Sequence, residues 1–220
     1  MLVTACIAAG FLGGRFLVRR RFRLSERDSH KAVTTVHNVI AVPLALRSLS
    51  KIPSRTLDVT CPSSRAMCKF SSGYFLYDII SARRNPVMLL HALGSGTLYT
   101  YTMMTGNFHS GAAGHILWEI SSPFVHAREI MADRGMKDTR IYKLNGIAMI
   151  VVFFACRNVW GLMLTADGLS RFRAVDPARA MRKPVRTAFV GLSVVMNSLN
   201  AYWMSKMIRG AIKVFWKGTS

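Results

Sequence analysis

The chain has 220 residues, 51% of them hydrophobic, with 30 Lys and Arg against 10 Asp and Glu, for a formal net charge of +20. The length fits one domain, and a basic excess of this size points first to nucleic acid. Two observations exclude the obvious readings. The charges lie in the connections between apolar blocks, so nucleic acid is set aside as a partner, and residues 147–155 leave no polar face for water, which speaks against a soluble all-α protein.

Seven apolar blocks follow one another, and a membrane-spanning helix needs about 20 mostly apolar residues, with a range of about 17–25. The first, residues 1–18, has no basic residue before it and the cluster Arg19-Arg20-Arg21-Phe22-Arg23 after it. That order suits an uncleaved anchor and not a signal peptide, whose positive charge comes first. The second, 33–49, sits at the short limit and contains Pro43. The third, 67–80, falls below the limit unless residues before it join the helix. The fourth, 87–105, opens at Asn85-Pro86 and carries the small-residue surface Ala92-Leu93-Gly94-Ser95-Gly96, where another helix can approach closely. The fifth, 111–127, holds Glu119 near its middle and Pro123, which is expected to kink the helix while Ser121 and Ser122 satisfy the freed carbonyl. The sixth, 144–166, is the longest and most apolar; the seventh is 187–207. The expectation is an all-α, polytopic transmembrane helical bundle of about seven segments. It divides into an N-terminal anchor helix with a basic connection over 1–32, a helical membrane domain over 33–210 and a basic tail over 211–220.

Seven spans place 17 Lys and Arg in connections on the side that holds the C-terminus and 10 on the other, a bias that puts the C-terminus inside. The cluster after the first block and Arg182-Lys183-Pro184-Val185-Arg186 read as juxtamembrane orientation signals, with anionic head groups as their further partners. Cys6, Cys61, Cys68 and Cys156 show no metal spacing and no CxxC, and no cofactor is implied. Cys61 and Cys68 share one connection, and both a disulfide and two free thiols fit their spacing.

Five blocks carry polar residues of a kind that is costly in a bilayer: His37; Tyr77 with Asp78; His91; His115 with Glu119; and Arg157 with Asn158. Ionisable groups in apolar helices face one another and mark sites. His115 and Glu119, four apart, are expected on one helical face, which Ser122 and His126 continue. Asp78 or Glu119 is expected to neutralise Arg157 or a histidine, since an unpaired buried charge is expensive. The set supports two readings: a histidine–carboxylate site in a lipid-accessible cavity, with His91 as general base and Asp78 or Glu119 orienting it, or an ion-paired network that fixes helix packing. The ligand types are too dispersed for a metal site.

The motifs His37-Asn38, Gly73-Tyr74-Phe75-Leu76-Tyr77-Asp78, the His91 segment, Glu119-Ile120-Ser121-Ser122-Pro123-Phe124 and Phe153-Phe154-Ala155-Cys156-Arg157 resemble, in order and spacing, the TLC-domain family of membrane proteins related to ceramide synthases. The resemblance runs from about His37 to Trp160. It implies a helical bundle around a cavity for lipid chains, in the endoplasmic reticulum. In ceramide synthases it also implies acyl transfer from acyl-CoA to a sphingoid amine by two adjacent histidines. Here the segment reads Leu89-Leu90-His91-Ala92, with one histidine, and residues 93–105 have no acidic residue.

Three functions follow as expectations. The first is a TLC-like protein that binds or influences membrane lipids without acyl transfer. The second is an accessory structural subunit of a large membrane complex, such as a respiratory complex or ATP synthase in the mitochondrial inner membrane, with cardiolipin or acidic subunits as partners of its basic surfaces. The third is an acyltransferase in which His91 works alone.

Overall fold

The computed structural model describes residues 2–52, 58–174 and 183–216. The long basic connection around Pro177 and the end of the tail lie largely outside them. The described chain is helical and falls into two compact units, Met1–Leu117 and Trp118–Ser220.

The first unit contains α1 (Leu2–Phe22), α2 (Glu26–Leu49), α3 (Pro62–Ala82), α4 (Pro86–Thr105) and α5 (His109–Ile116). Local chemistry sets its boundaries. Ser25 caps α2, its hydroxyl accepting the Asp28 N–H at 3.0 Å. Asn85 caps α4 through the Val87 and Met88 amides, with Pro86 at the position where a missing N–H costs nothing. Gly106, at φ 75°, ends that helix in the left-handed region that glycine enters without penalty. The third block does gain residues at its start: α3 begins at Pro62 and reaches 21 residues.

The α1–α3 contact depends on one missing side chain. A Cβ on Gly73 would stand 2.4 Å from Ile7 Cγ2 and 3.1 Å from the Thr4 carbonyl oxygen, so only glycine lets these helices approach so closely. Between α2 and α3 the contact is a polar and aromatic zipper. His30, Thr34 and His37, one face of α2, meet Tyr77, Tyr74 and Ser71 of α3 through hydrogen bonds of 3.0, 2.9 and 3.1 Å. Ser48 Oγ donates to Ser63 Oγ at 3.1 Å further along the same pair. The His37 ring stacks on Tyr74, with centroids 3.9 Å apart and planes 13° from parallel.

The second unit contains a 3-10 turn beginning at the boundary (Leu117–Ser121), α6 (Ser122–Asp133), α7 (Arg140–Phe153), a π-helical turn (Phe154–Val159), α8 (Trp160–Ala174) and α9 (Lys183–Trp216). Thr139 caps α7 by accepting the Tyr142 N–H. The fifth block is therefore not one kinked helix. The α-helix stops at Ile116, the tighter turn follows, and Pro123 lies in the first turn of α6, where it starts a helix instead of bending one. Of the two serines expected to relieve it, Ser121 donates to the Trp118 carbonyl at 2.8 Å, while Ser122 donates to the Glu119 side chain.

Among the described residues, three helical runs are long and apolar enough to cross a membrane: Leu2–Phe22, Glu26–Leu49 and Arg140–Phe172. The last is α7, the π turn and most of α8 in one continuous stretch. All-α architecture holds; the other four expected spans do not meet the same length and composition test. All four cysteines are free thiols, so the disulfide alternative for Cys61 and Cys68 does not apply.

Candidate functional site

The first unit gathers charge where α1, α2 and α3 meet. Arg15, three turns into the apolar α1, donates to Ser81 at 3.1 Å, to Ser29 at 3.4 Å and to the Glu26 carbonyl at 3.0 Å. Beside it, His30 lies 3.5 Å from Asp78 through Nε2 and 3.0 Å from the Tyr77 hydroxyl through Nδ1. Asp78 and Tyr77, neighbours in the sequence, both meet His30, which the sequence reading left out. The spacing of His30, Thr34 and His37 is the signal that could have found it: polar residues at helical period that run from the polar connection into the second apolar block.

The other histidines of this unit have separate surroundings. His37 is fully buried, with Nδ1 at 3.1 Å from Asn38 Oδ1 and Nε2 at 3.1 Å from Ser71 Oγ. His91 is half-buried on α4, its ring edge-on to Phe75 with centroids 6.2 Å apart. His115 donates from Nδ1 to the Gly111 carbonyl at 2.8 Å, one turn back on α5.

The second unit builds its polar centre from the 3-10 turn and the π turn. Arg157 Nη2 lies 3.2 Å from Glu119 Oε1, Nε donates to Ser121 Oγ at 3.0 Å, and Ser122 Oγ donates to Glu119 Oε2 at 2.7 Å. Both charged residues are buried. The Arg157 guanidinium also sits over Phe153, 5.2 Å from the ring centre, and 5.9 Å from that of Trp203. The α-helix that would carry an i, i+4 face for His115 and Glu119 ends at Ile116, and Glu119 lies in the turn after it, which has about three residues per turn. Instead Glu119 and Ser122 meet at i, i+3. The π turn, which the sequence did not announce, inserts an extra residue per turn and lets Phe153 and Arg157 point inward while Phe154 and Ala155 remain exposed.

The first unit also carries an apolar cleft of about 410 Å³, open along one side. Gly10, Gly14 and Val18 of α1 face Val33 and Val36 of α2 across it, with Phe70 of α3 at its base. None of His37, Tyr77, Asp78, His91, His115, Glu119 and Arg157 lines it. Among the described residues no group of His, Cys, Asp and Glu has the geometry to hold a metal ion.

Long apolar helices joined by capped turns, with a buried ion pair between apolar stretches, define a helical protein of the membrane class. Comparison with known proteins gives the family. The TLC-domain profile matches residues 29–209, and the chain belongs to the TLC-domain family. It is 25% identical to Topoisomerase I damage affected protein 4 of Saccharomyces cerevisiae, over 94% of this chain and 79% of that one. Identity to a TLC domain-containing protein of Schizosaccharomyces pombe is 21%, over 82% of this chain and 63% of that one. Human TLC domain-containing protein 4 is 28% identical over 66% of this chain and 57% of its own length. The chain therefore spans little more than half to four fifths of these relatives. The family motif now has physical content. Gly73 admits α1, Tyr74 stacks on His37, Asp78 meets His30, and Glu119 with Ser121 and Ser122 holds Arg157.

Proposed function

We propose that this chain is an integral membrane protein that binds or influences membrane lipids and does not transfer acyl groups. The observation that carries the reading is the open apolar cleft between α1 and α2. A cleft lined by glycine, valine and phenylalanine has nothing to offer a polar substrate and suits a hydrocarbon chain, whose burial is worth about 0.8 kcal/mol per methylene. The carboxylates argue the same way. Asp78 lies against His30 and Glu119 pairs with Arg157, so both carboxylates considered as helpers of His91 have other partners in the fold. His91 stands without a second histidine beside it. Under this reading the membrane is of the endoplasmic-reticulum type, an assignment that membership of the TLC-domain family supports.

The test is purification of the full chain in mild detergent, with native mass spectrometry of the particle. Lipid retained at a fixed stoichiometry supports the reading, and a particle with none overturns it. Co-migration with a constant set of proteins in a large band replaces it with the accessory-subunit role. Turnover of acyl-CoA with a long-chain amine, lost in His91→Ala, replaces it with the acyltransferase role.

A further inference from the structure

We infer that the α1–α2 cleft is the seat of an anionic glycerophospholipid, one acyl chain lying along Gly10 and Gly14 and the phosphate held by Arg19, Arg20 and Arg21. The inference rests on the lipid reading above and adds the site and the lipid class. Three observations meet here. The first is length. From Ile7 to Val18, the residues of α1 that line the cleft, the helix rises about 16 Å. One leaflet of a hydrocarbon core of about 30 Å is about 15 Å deep. The cleft thus runs from mid-bilayer to the head-group layer, the path of a single acyl chain.

The second is charge at the mouth. Val18 lines the cleft, and Arg19, Arg20 and Arg21 continue the same helix by less than one turn. All three are exposed, and none forms an ion pair with an acidic side chain among the described residues. The acids in the first turn of α2 are engaged elsewhere: Glu26 lies 3.8 Å from Arg15, and Asp28 lies 3.3 Å from Lys31. Cations at the head-group level next to an apolar channel complement a lipid with a negative head group, not a zwitterionic one.

The third is that the cleft is empty space by design of the sequence. A Cβ built on Gly10, Gly13 or Gly14 meets no atom within 4 Å. Gly10 and Gly14 face the cleft, and Gly13 does not line it. Glycine in a helix interior is destabilising relative to alanine, and at these positions no neighbouring helix needs the space. The same Gly10-x-x-x-Gly14 spacing also serves helix pairing in membranes, so a second copy of the chain is the competing occupant.

The experiment incubates the purified full chain with phosphatidylcholine vesicles containing phosphatidylglycerol, re-isolates it, and reads bound lipid and oligomeric mass by native mass spectrometry. The wild type is expected to prefer phosphatidylglycerol, by roughly 100-fold if three arginines act at full surface value. The plugged variant G10L/G14L is expected to lose retained lipid. R19Q/R20Q/R21Q is expected to keep phosphatidylcholine and lose the preference. Gly13→Leu, which changes helix propensity outside the cleft, is expected to match the wild type and controls for folding. Equal retention of the two lipids, or retention unaffected by G10L/G14L, overturns the inference while the lipid reading stands. A wild-type dimer that G10L/G14L converts to monomer overturns it in favour of a second copy. A wild type that holds no lipid overturns the reading beneath it.

Discussion

Glu119 and Arg157 come from two departures from α-helical geometry, a 3-10 turn and a π turn, and meet 3.2 Å apart although 38 residues separate them. Neither would be tolerated alone in this apolar unit. Removing one partner of a buried pair costs about 3–5 kcal/mol, whereas replacing both by apolar residues is often close to neutral. Glu119→Ala is expected to lower the melting temperature sharply, and E119M/R157M to recover most of it. Thermal unfolding in detergent of the wild type, Glu119→Met, Arg157→Met and E119M/R157M gives the coupling directly. Additive losses would mean that the pair carries no stability of its own.

The α2–α3 zipper makes a second pair testable. Thr34 and Tyr74 share a hydrogen bond of 2.9 Å in the buried seam. Tyr74→Phe keeps the stack on His37 and removes only the hydroxyl, so its expected cost is about 1 kcal/mol. Thr34→Val with Tyr74→Phe is expected to cost less than the sum of the two singles. A double-mutant cycle on unfolding midpoints checks this.

Gly73 is predicted to be intolerant of even one added carbon. Its Cβ would meet both Ile7 Cβ at 2.5 Å and backbone at Thr4, and a backbone oxygen cannot rotate away. Gly73→Ala is expected to lose about 1–3 kcal/mol as overpacking. Because Ile7 also lines the cleft, the same variant is expected to change lipid retention. Unchanged stability would show that α1 can move off α3 at no cost.

Cys61, in the connection before α3, is expected to be a reactive thiol. Partial burial pushes it up, but hydrogen bonding from Ser63, Ser64 and Ser48 outweighs this and holds it at about 7, below the ordinary thiol value. Its alkylation rate is expected to rise through pH 7 and level off above it, since the thiolate is the nucleophile. Ser63→Ala is expected to move that midpoint upward. Rates of iodoacetamide labelling at Cys61, read by peptide mass spectrometry from pH 5.5 to 9, decide it.

Much of this architecture was legible in the sequence because its causes are local. Apolar blocks, prolines at helix starts, Ser25, Asn85 and Thr139 as caps and Gly106 as a stop each act within a turn or two of the chain, and the helices begin and end close to where they do. The same holds for the identity of the costly residues: Asp78, Glu119 and Arg157 declare themselves by sitting in hydrocarbon-like surroundings, whatever surrounds them. What the tertiary structure decided was who meets whom. Asp78 pairs with His30 and Glu119 with Arg157 because of the register between helices, and register is set by the summed packing of whole faces, which no local window contains. The two non-α turns that aim Glu119 and Arg157 at each other escaped the reading for the same reason. A 3-10 or π turn differs from an α turn by one residue, too little to alter hydropathy, and which one forms depends on the partners that the distant chain supplies.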